Sequence, residues 1–301
     1  MKVPPWLTVG VCSHPGRVRR TNEDDYLLGA VPGSGELLAA IADGMGGLAG
    51  GAEASRIALR SLGSVVLDGP SPGPVQERLR LGCGAARDRV LDAGSAVPAL
   101  RDMGTTLTAL LLRPDTATIA HVGDTRVYRL RGGRCERLTT DHAVQRPDNL
   151  LTRCIGAGQG DVEPDLRQEA LLAGDRFVLV SDGVWSVLDD ELFAARASRS
   201  PVQQAAEDLV LAALAAGGPD NATAIVVEVG QQPGAAGPAV EVDLPRHERP
   251  EDPALWPSPR SLRPPVWPWW LLAVAALVLG DAGCRLVGGE GLVALWRWWI
   301  G

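Results

Sequence analysis

Four apolar runs of this 301-residue chain meet an aspartate at the point where each should leave the core. Asp43 closes the run in LLAAIADGMGG, Asp124 the run in IAHVGDTRVY and Asp182 the run in FVLVSDGVW, while Asp220 stands at the head of the run in GGPDNATAIVV. Each has a glycine or an asparagine beside it. A single Asp-Gly pair is most simply a turn. Four at the ends of buried strands would converge on one edge of a layered fold, where repulsion and lost hydration cost heavily unless cations lie among them. The candidate ligands are all oxygens with no cysteine or histidine set beside them, so the hard ions Mg2+ or Mn2+ fit better than Zn2+.

Apolar patterning predicts strands over 7–12, 26–31 and 37–42, then helices over 52–67 and 75–93. A second strand series follows over 106–112, 116–122, 126–131 and 177–180, and a helix over 202–216 with a strand over 222–229 closes the domain. The strands arrive in runs separated by short turns such as RPD and RGG. An α+β domain of two antiparallel sheets flanked by helices therefore fits better than a parallel βαβ alternation.

Composition changes near residue 230, which divides the chain into a domain over 1–230 and a different C-terminal part. Residues 231–265 are rich in Pro, Gly, Ala and charge, without periodicity, and read as an extended linker. VWPWWLLAVAALVLG follows, and six of the nine tryptophans flank this apolar run in two clusters, as an interfacial aromatic belt would. A spanning helix needs about 20 mostly apolar residues, so the segment 266–284 crosses a bilayer only by running past Asp281 toward Cys284, and otherwise lies in the interface. Residues 285–301 form a Trp-rich tail. Arg246, Arg249, Arg260 and Arg263 precede the segment while only Arg285 and Arg297 follow. That bias predicts a cytoplasmic domain anchored to the inner membrane by its C-terminus.

All but one of the seven net negative charges fall in residues 1–230, which argues against nucleic acid as a partner. The five cysteines, an odd number without a CxxC pair, fit neither a disulfide framework nor a zinc cluster. Near the N-terminus, GRVRRTNEDD sets an arginine three residues before Asn22-Glu23-Asp24. A guanidinium can grip a phosphate bidentately, and adjacent carboxylates can hold a metal and its waters.

In this order, GRVRRTNED, ADGMGG, MGTTLTAL, HVGDTRVY, LTTDH, LTRCIG, GDRFVLVSDGVW and GPDNAT resemble the motifs of the metal-dependent protein phosphatases, the type 2C Ser/Thr phosphatases, and most of all their bacterial members. The resemblance covers about residues 7–229 and leaves out the linker and tail. It implies a four-layer α-β-β-α sandwich. It also implies a site in which Asp43 bridges two divalent ions, with the Gly44 carbonyl and Glu23 on one side and Asp182 and Asp220 on the other. Asp24 would hold metal-bound water, and Asp124 with Asp182 would form a weaker third-ion site. Arg19 matches the phosphate-binding arginine, and Asn22 and Asn221 would support the ligands from behind.

The implied reaction is hydrolysis of phosphoserine or phosphothreonine in proteins, opposing a bacterial Ser/Thr kinase. Water bridging the two ions would ionise near neutral pH and attack phosphorus in line, without a covalent enzyme intermediate. Arg19 would offset charge on the phosphate oxygens. Met45 stands where many eukaryotic relatives carry a histidine, so a metal-held water would protonate the leaving alkoxide. Only AVQRPDNL separates Asp141-His142 from Leu151-Thr152-Arg153, where bacterial relatives usually carry a longer flap, a departure that bears on substrate selection and third-ion occupancy. His142, beside that short flap, is within reach of substrate, whereas His14 and His121 have no partner at metal-site spacing and read as structural. Two other function classes are a phosphoprotein-sensing pseudo-phosphatase and a phosphatase of a dedicated anti-sigma-factor antagonist. The joint presence of Asp43, Asp182, Asp220, Glu23 and Arg19 argues against the first, and the N-terminal arginine motif against the second.

Overall fold

The strand Glu36–Met45 shows why the chain stacks in layers. Its sequence, ELLAAIADGM, is apolar on both faces, the pattern of a strand covered on each side. Leu37, Ala39 and Ile41 face one way, into a cluster with Val9, Leu110, Phe177 and Ile225. Leu38, Ala40 and Ala42 face the other way, into a cluster with Leu59, Leu62, Leu79 and Leu111. The alternation is the period of two that a pleated strand imposes. The first cluster fills the space between two sheets, and the second fills the space between one sheet and the helices Gly50–Val66 and Val75–Ala96.

This structure is a computed structural model; it describes residues 2–31, 34–46, 50–68, 73–144, 150–157, 162–230 and 240–241. All of these belong to one compact unit, Met1–His247. A seven-stranded sheet runs in the order Ile155–Gly156, Gly104–Thr105, Glu36–Met45, Leu107–Leu112, Thr116–Val122 and Asp165–Ala170, with Asp24–Val31 also paired to Glu36–Met45. A five-stranded sheet runs Leu7–His14, Ala222–Val229, Arg176–Val180, Arg126–Arg131 and Arg134–Arg137. Neighbours are antiparallel in both sheets. The helix Val202–Ala215 covers the outer face of the second sheet through Val202, Ala205, Ala206, Leu209, Val210 and Ala213, one stripe at helical spacing. It lies close enough that a Cβ on Gly10 of the underlying strand would sit 2.5 Å from the Gln203 backbone. Helix, sheet, sheet and helix make four layers, as expected.

The predicted strands and helices are present with ends displaced by a few residues, the usual uncertainty of termini. Besides several two-residue strands, two longer ones escaped the pattern. Asp165–Ala170, DLRQEA, is an outer strand with no fully buried position, and Arg134–Arg137 is exposed throughout, so neither carries an apolar face to announce it. The short helix Asp190–Ala197 also went unpredicted; its start is set by Asp189, whose Oδ1 accepts the Leu192 N–H at 2.8 Å.

The stretch read as a linker contains one ordered pairing. Val240–Glu241 forms a two-residue antiparallel ladder with Lys2–Val3, held by backbone bonds that need no periodic sequence. The rest of 231–265, the candidate membrane segment 266–284 and the tail 285–301 lie outside the described residues. Among the described residues, no helix is long and apolar enough to cross a membrane.

Candidate metal centre

Strand register brings the first two carboxylates together. Asp24 pairs opposite Asp43 where Asp24–Val31 runs antiparallel to Glu36–Met45. Neighbouring carboxylates repel, and the fold holds each in place by its surroundings. The Asp43 N–H donates to Thr106 Oγ1 at 2.9 Å, the Thr106 N–H returns to the Asp43 carbonyl at 2.8 Å, and the Thr105 hydroxyl donates to the same carbonyl at 2.9 Å. The GTT of MGTTLTAL is thus a clamp on the Asp43 backbone. Asp24 is 4% exposed, and its Oδ2 accepts the hydroxyls of Ser181 and Thr223, both at 2.7 Å. Its Oδ1 is buried without a hydrogen-bond partner.

Ser181 immediately precedes Asp182, so the bond that fixes Asp24 also draws the second sheet's carboxylate to the first sheet's. Asp182 thereby adds to the negative charge that faces Asp43. Burial, then Asp24, Asp182 and Asp124, hold the Asp43 carboxyl well above the usual carboxylate range. Burial and then Asp220 raise Asp182. Burial raises Asp24 against the pull of its two hydroxyl donors. Asp124 is pushed up to about 7 by burial and then by Asp182. The turn that carries Asp182 is pinned from outside by Trp185, over which the Arg126 guanidinium lies at 3.4 Å, itself held by Asp141 at 2.7 and 3.0 Å.

The N-terminal motif is tied to the same edge by Asn221. Its side-chain amide donates to the carbonyls of Pro15 and Thr21 at 2.8 and 2.9 Å, its Oδ1 accepts the Glu23 N–H at 2.8 Å, and its own N–H donates to Asp220 Oδ1 at 2.8 Å. Asn22 donates to Ser13 Oγ at 2.9 Å. Burial raises the Glu23 carboxyl, with Arg19 opposing. Glycines make room here: a Cβ on Gly51 would lie 2.2 Å from Glu23 Oε2, and one on Gly44 would lie 2.2 Å from the Gly51 carbonyl. The helix Gly50–Val66 therefore begins directly against Glu23 and Gly44.

One pairing was not foreseen. Arg19, read as a phosphate ligand, and Asp220, read as a metal ligand, are joined to each other at 2.7 Å. Among the described residues, no three His, Cys, Asp or Glu side chains close around a common point. The donor set nonetheless suits a hard divalent ion: it is all oxygen, its carboxylates oppose one another's charge, and it leaves the buried Asp24 Oδ1 without a partner.

His142 departs from its expected place. It is 4% exposed, and its ring nitrogens meet the Gly123 N–H and Asp165, so the ring is engaged by the protein itself. The flap itself is described only at its ends, where Ala143–Val144 pairs with Leu150–Leu151; residues 145–149 lie outside the described residues. His14 accepts the Gly16 N–H at 2.9 Å, and His121, 1% exposed, bonds Thr108 and the Thr140 carbonyl. Sequence reasoning missed the clamps Thr105, Thr106, Ser181 and Thr223, because a hydroxyl that binds a neighbouring strand leaves no periodic signal.

Comparison with known proteins bears on this arrangement. A family model described as Protein phosphatase 2C matches residues 16–216. The Ser/Thr protein phosphatase PstP of Mycobacterium tuberculosis is 34% identical over 233 residues, which is 72% of this chain and 44% of PstP, so the chain spans less than half the length of that relative. Protein phosphatase PhpP of Streptococcus pneumoniae is 30% identical over 234 residues, 71% of this chain and 94% of PhpP. The crystal structure of the Mycobacterium tuberculosis phosphatase PstP/Ppp superposes with a TM-score of 0.68 at 32% identity, over 74% of this chain and 99% of that one. A PstP catalytic domain in complex with two manganese ions superposes with a TM-score of 0.67 at 33% identity, over 74% of this chain and 98% of that one. The match over residues 16–216 and the likeness of the sandwich agree with the motifs: the chain belongs to the protein phosphatase 2C family.

Proposed function

We propose that this chain hydrolyses phosphoserine and phosphothreonine in proteins with two Mn2+ or Mg2+ ions, and with a third at a weaker site. The observation that carries the reading is the convergence of Asp24 and Asp182 on Asp43, each opposing its charge, beside a buried Asp24 oxygen without a partner, a grouping that calls for positive charge. Asp43, the Gly44 carbonyl and Glu23 would hold one ion; Asp43, Asp182 and Asp220 the other; Asp124 with Asp182 the third. Asp24 would hold water of the site. Such ions, when bound, lower the pKa of the water they hold and offset phosphate charge, which is the chemistry that in-line hydrolysis by a bridging hydroxide needs.

The chain's own residues position and select. The Arg19 side chain is 56% exposed at the rim, so its guanidinium can exchange the Asp220 carboxylate for a phosphate, one oxyanion for another. Thr105, Thr106, Ser181, Thr223 and Asn221 keep the carboxylates from drifting apart, so little reorganisation is left for the reaction itself. Phosphoproteins made by a Ser/Thr kinase are the substrates this reading implies. The Trp-flanked run in 266–284 supports a domain tethered at a membrane, which would raise its local concentration near membrane-bound partners. A full-length chain that fractionates as soluble would sink the tether.

Phosphate release from a phosphothreonine peptide by the full chain tests the activity. The parent turns over only with Mn2+ or Mg2+, and Asp182→Asn loses turnover by about 10²–10³-fold. A parent that binds Mn2+ yet releases no phosphate from any phosphopeptide or phosphoprotein overturns the enzymatic reading and leaves a phosphoprotein-sensing domain.

A further inference from the structure

Two buried histidines hold the two neighbours of Asp124. On one side, the Gly123 N–H donates to His142 Nδ1 at 3.1 Å, and the His142 N–H donates back to the Gly123 carbonyl at 2.7 Å. On the other side, Thr125 Oγ1 lies 2.6 Å from Thr108 Oγ1, which lies 2.8 Å from His121 Nδ1. The protons can be assigned from the partners. His121 Nε2 meets the Thr140 carbonyl at 3.1 Å and must donate to it, so His121 Nδ1 accepts from Thr108, and Thr108 accepts from Thr125. His142 Nδ1 accepts from Gly123, so its Nε2 carries the hydrogen and donates to Asp165 Oδ2 at 3.0 Å. The two rings lie against each other, with centroids 4.7 Å apart.

The turn they hold has little room to move. Gly123 has φ +113°, and a Cβ there would sit 2.6 Å from Thr106, the residue that clamps Asp43. A shift of the turn is therefore felt by Asp124 directly and by Asp43 through Thr106. His142 also accepts the Thr152 N–H at 2.8 Å on its carbonyl, while Arg153 bonds Asp165 at 2.8 Å, so the same residue joins the base of the short flap to the Asp124 turn.

We propose that His142 is a positioning residue for Asp124: by accepting from Gly123 and donating to Asp165, it fixes the turn that carries the Asp124 carboxylate beside Asp43 and Asp182. The inference rests on the reading of Asp124 as a metal ligand. Outer partners of this kind, when removed, weaken metal affinity by about 10–100-fold without touching the metal. His121 does the same work more remotely, through Thr108 and Thr125.

Calorimetric titration of the full chain with Mn2+ alone, without phosphate substrate, tests the proposal. Asp124→Asn first identifies the binding step that depends on Asp124, as the step it removes. His142→Gln keeps a donor toward Asp165 but loses the acceptor for Gly123, whereas His142→Asn keeps an acceptor near the Nδ1 position and loses the donor. The expected result is that His142→Gln weakens that step by about 10-fold or more, that His142→Asn restores most of the loss, and that the steps surviving Asp124→Asn persist in both. Persistence of those steps shows that the variants are folded. The proposal is overturned if His142→Gln binds at that step as the parent does, or if both His142 variants fall alike. If Asp124→Asn itself leaves the isotherm unchanged, the assignment of Asp124 to metal has failed, and the inference that rests on it with it.

Discussion

The strand Glu36–Met45 carries a carboxylate near each end, and the two are treated in opposite ways. Glu36, 6% exposed, lies 2.5 Å from Arg78 and 3.2 Å from Arg113, so its charge is matched by the protein. Asp43 faces Asp24, Asp124 and Asp182, so its charge is opposed by the protein. A matched buried carboxylate is a structural device whose loss is felt in stability. An opposed one costs stability and persists where something from outside supplies the missing charge. The layers make this possible, because the same apolar stretch, Leu37 to Ala42, anchors both ends rigidly in two cores.

The comparison can be broken at either end. The largest effect is expected from Glu36→Leu, which takes the carboxylate away from the buried Arg78 guanidinium; urea unfolding should show a loss of about 3–5 kcal/mol, with Mn2+-dependent turnover per folded molecule retained. Stability within a few tenths of the parent would mean that the pair contributes nothing. Asp43→Asn should do the reverse. Phosphate release falls by about 10²–10³-fold, while metal-free stability is unchanged or higher because a repelled charge is gone. A destabilised Asp43→Asn would contradict the contrast between the two ends.

The contrast sharpens with pH in a chelator. Asp124 ionises at about 7 in the fold against 3.8 for the ordinary side chain, with burial as the main cause. The fold thus favours its protonated form. That contribution is fully present below pH 3.8 and is lost as pH rises toward about 7. The difference in urea stability between the parent and Asp124→Asn should decline across that window, and Mn2+ at about 100 times its dissociation constant should restore about 2.7 kcal/mol at neutral pH. A difference that is flat or rises with pH would refute it. The smallest effect belongs to Arg80→Ala, whose partners Glu77 and Glu163 are 48% and 68% exposed. Thermal melts should shift by no more than about 0–1 kcal/mol, the range of solvated ion pairs.

Most of the layered core was legible from apolar patterning. The sequence over 37–42 reads as a strand and that over 202–216 as a helix, because burial imposes a period on the chain. Asp165–Ala170 and Arg134–Arg137 were illegible for the converse reason: strands with no fully buried face write no period. The carboxylates announced themselves, since turn chemistry accounts for one aspartate at the end of an apolar run but not for Asp43, Asp124, Asp182 and Asp220 together. Their supports did not. Thr105, Thr106, Ser181 and Thr223 are ordinary strand residues until a second strand is brought against them.

Residue order was enough to establish which apolar runs would form the core, in which kind of element, and which charges would be left at strand ends, because those properties follow from local periodicity and composition. Partnership is another matter. That Arg19 meets Asp220, that Glu36 is neutralised by Arg78, and that His142 lies beneath the Asp124 turn rather than before it are facts of packing between segments far apart in the chain. Electrostatic and hydrogen-bond energies depend on distances of a few ångströms, and those distances exist only once the layers have closed.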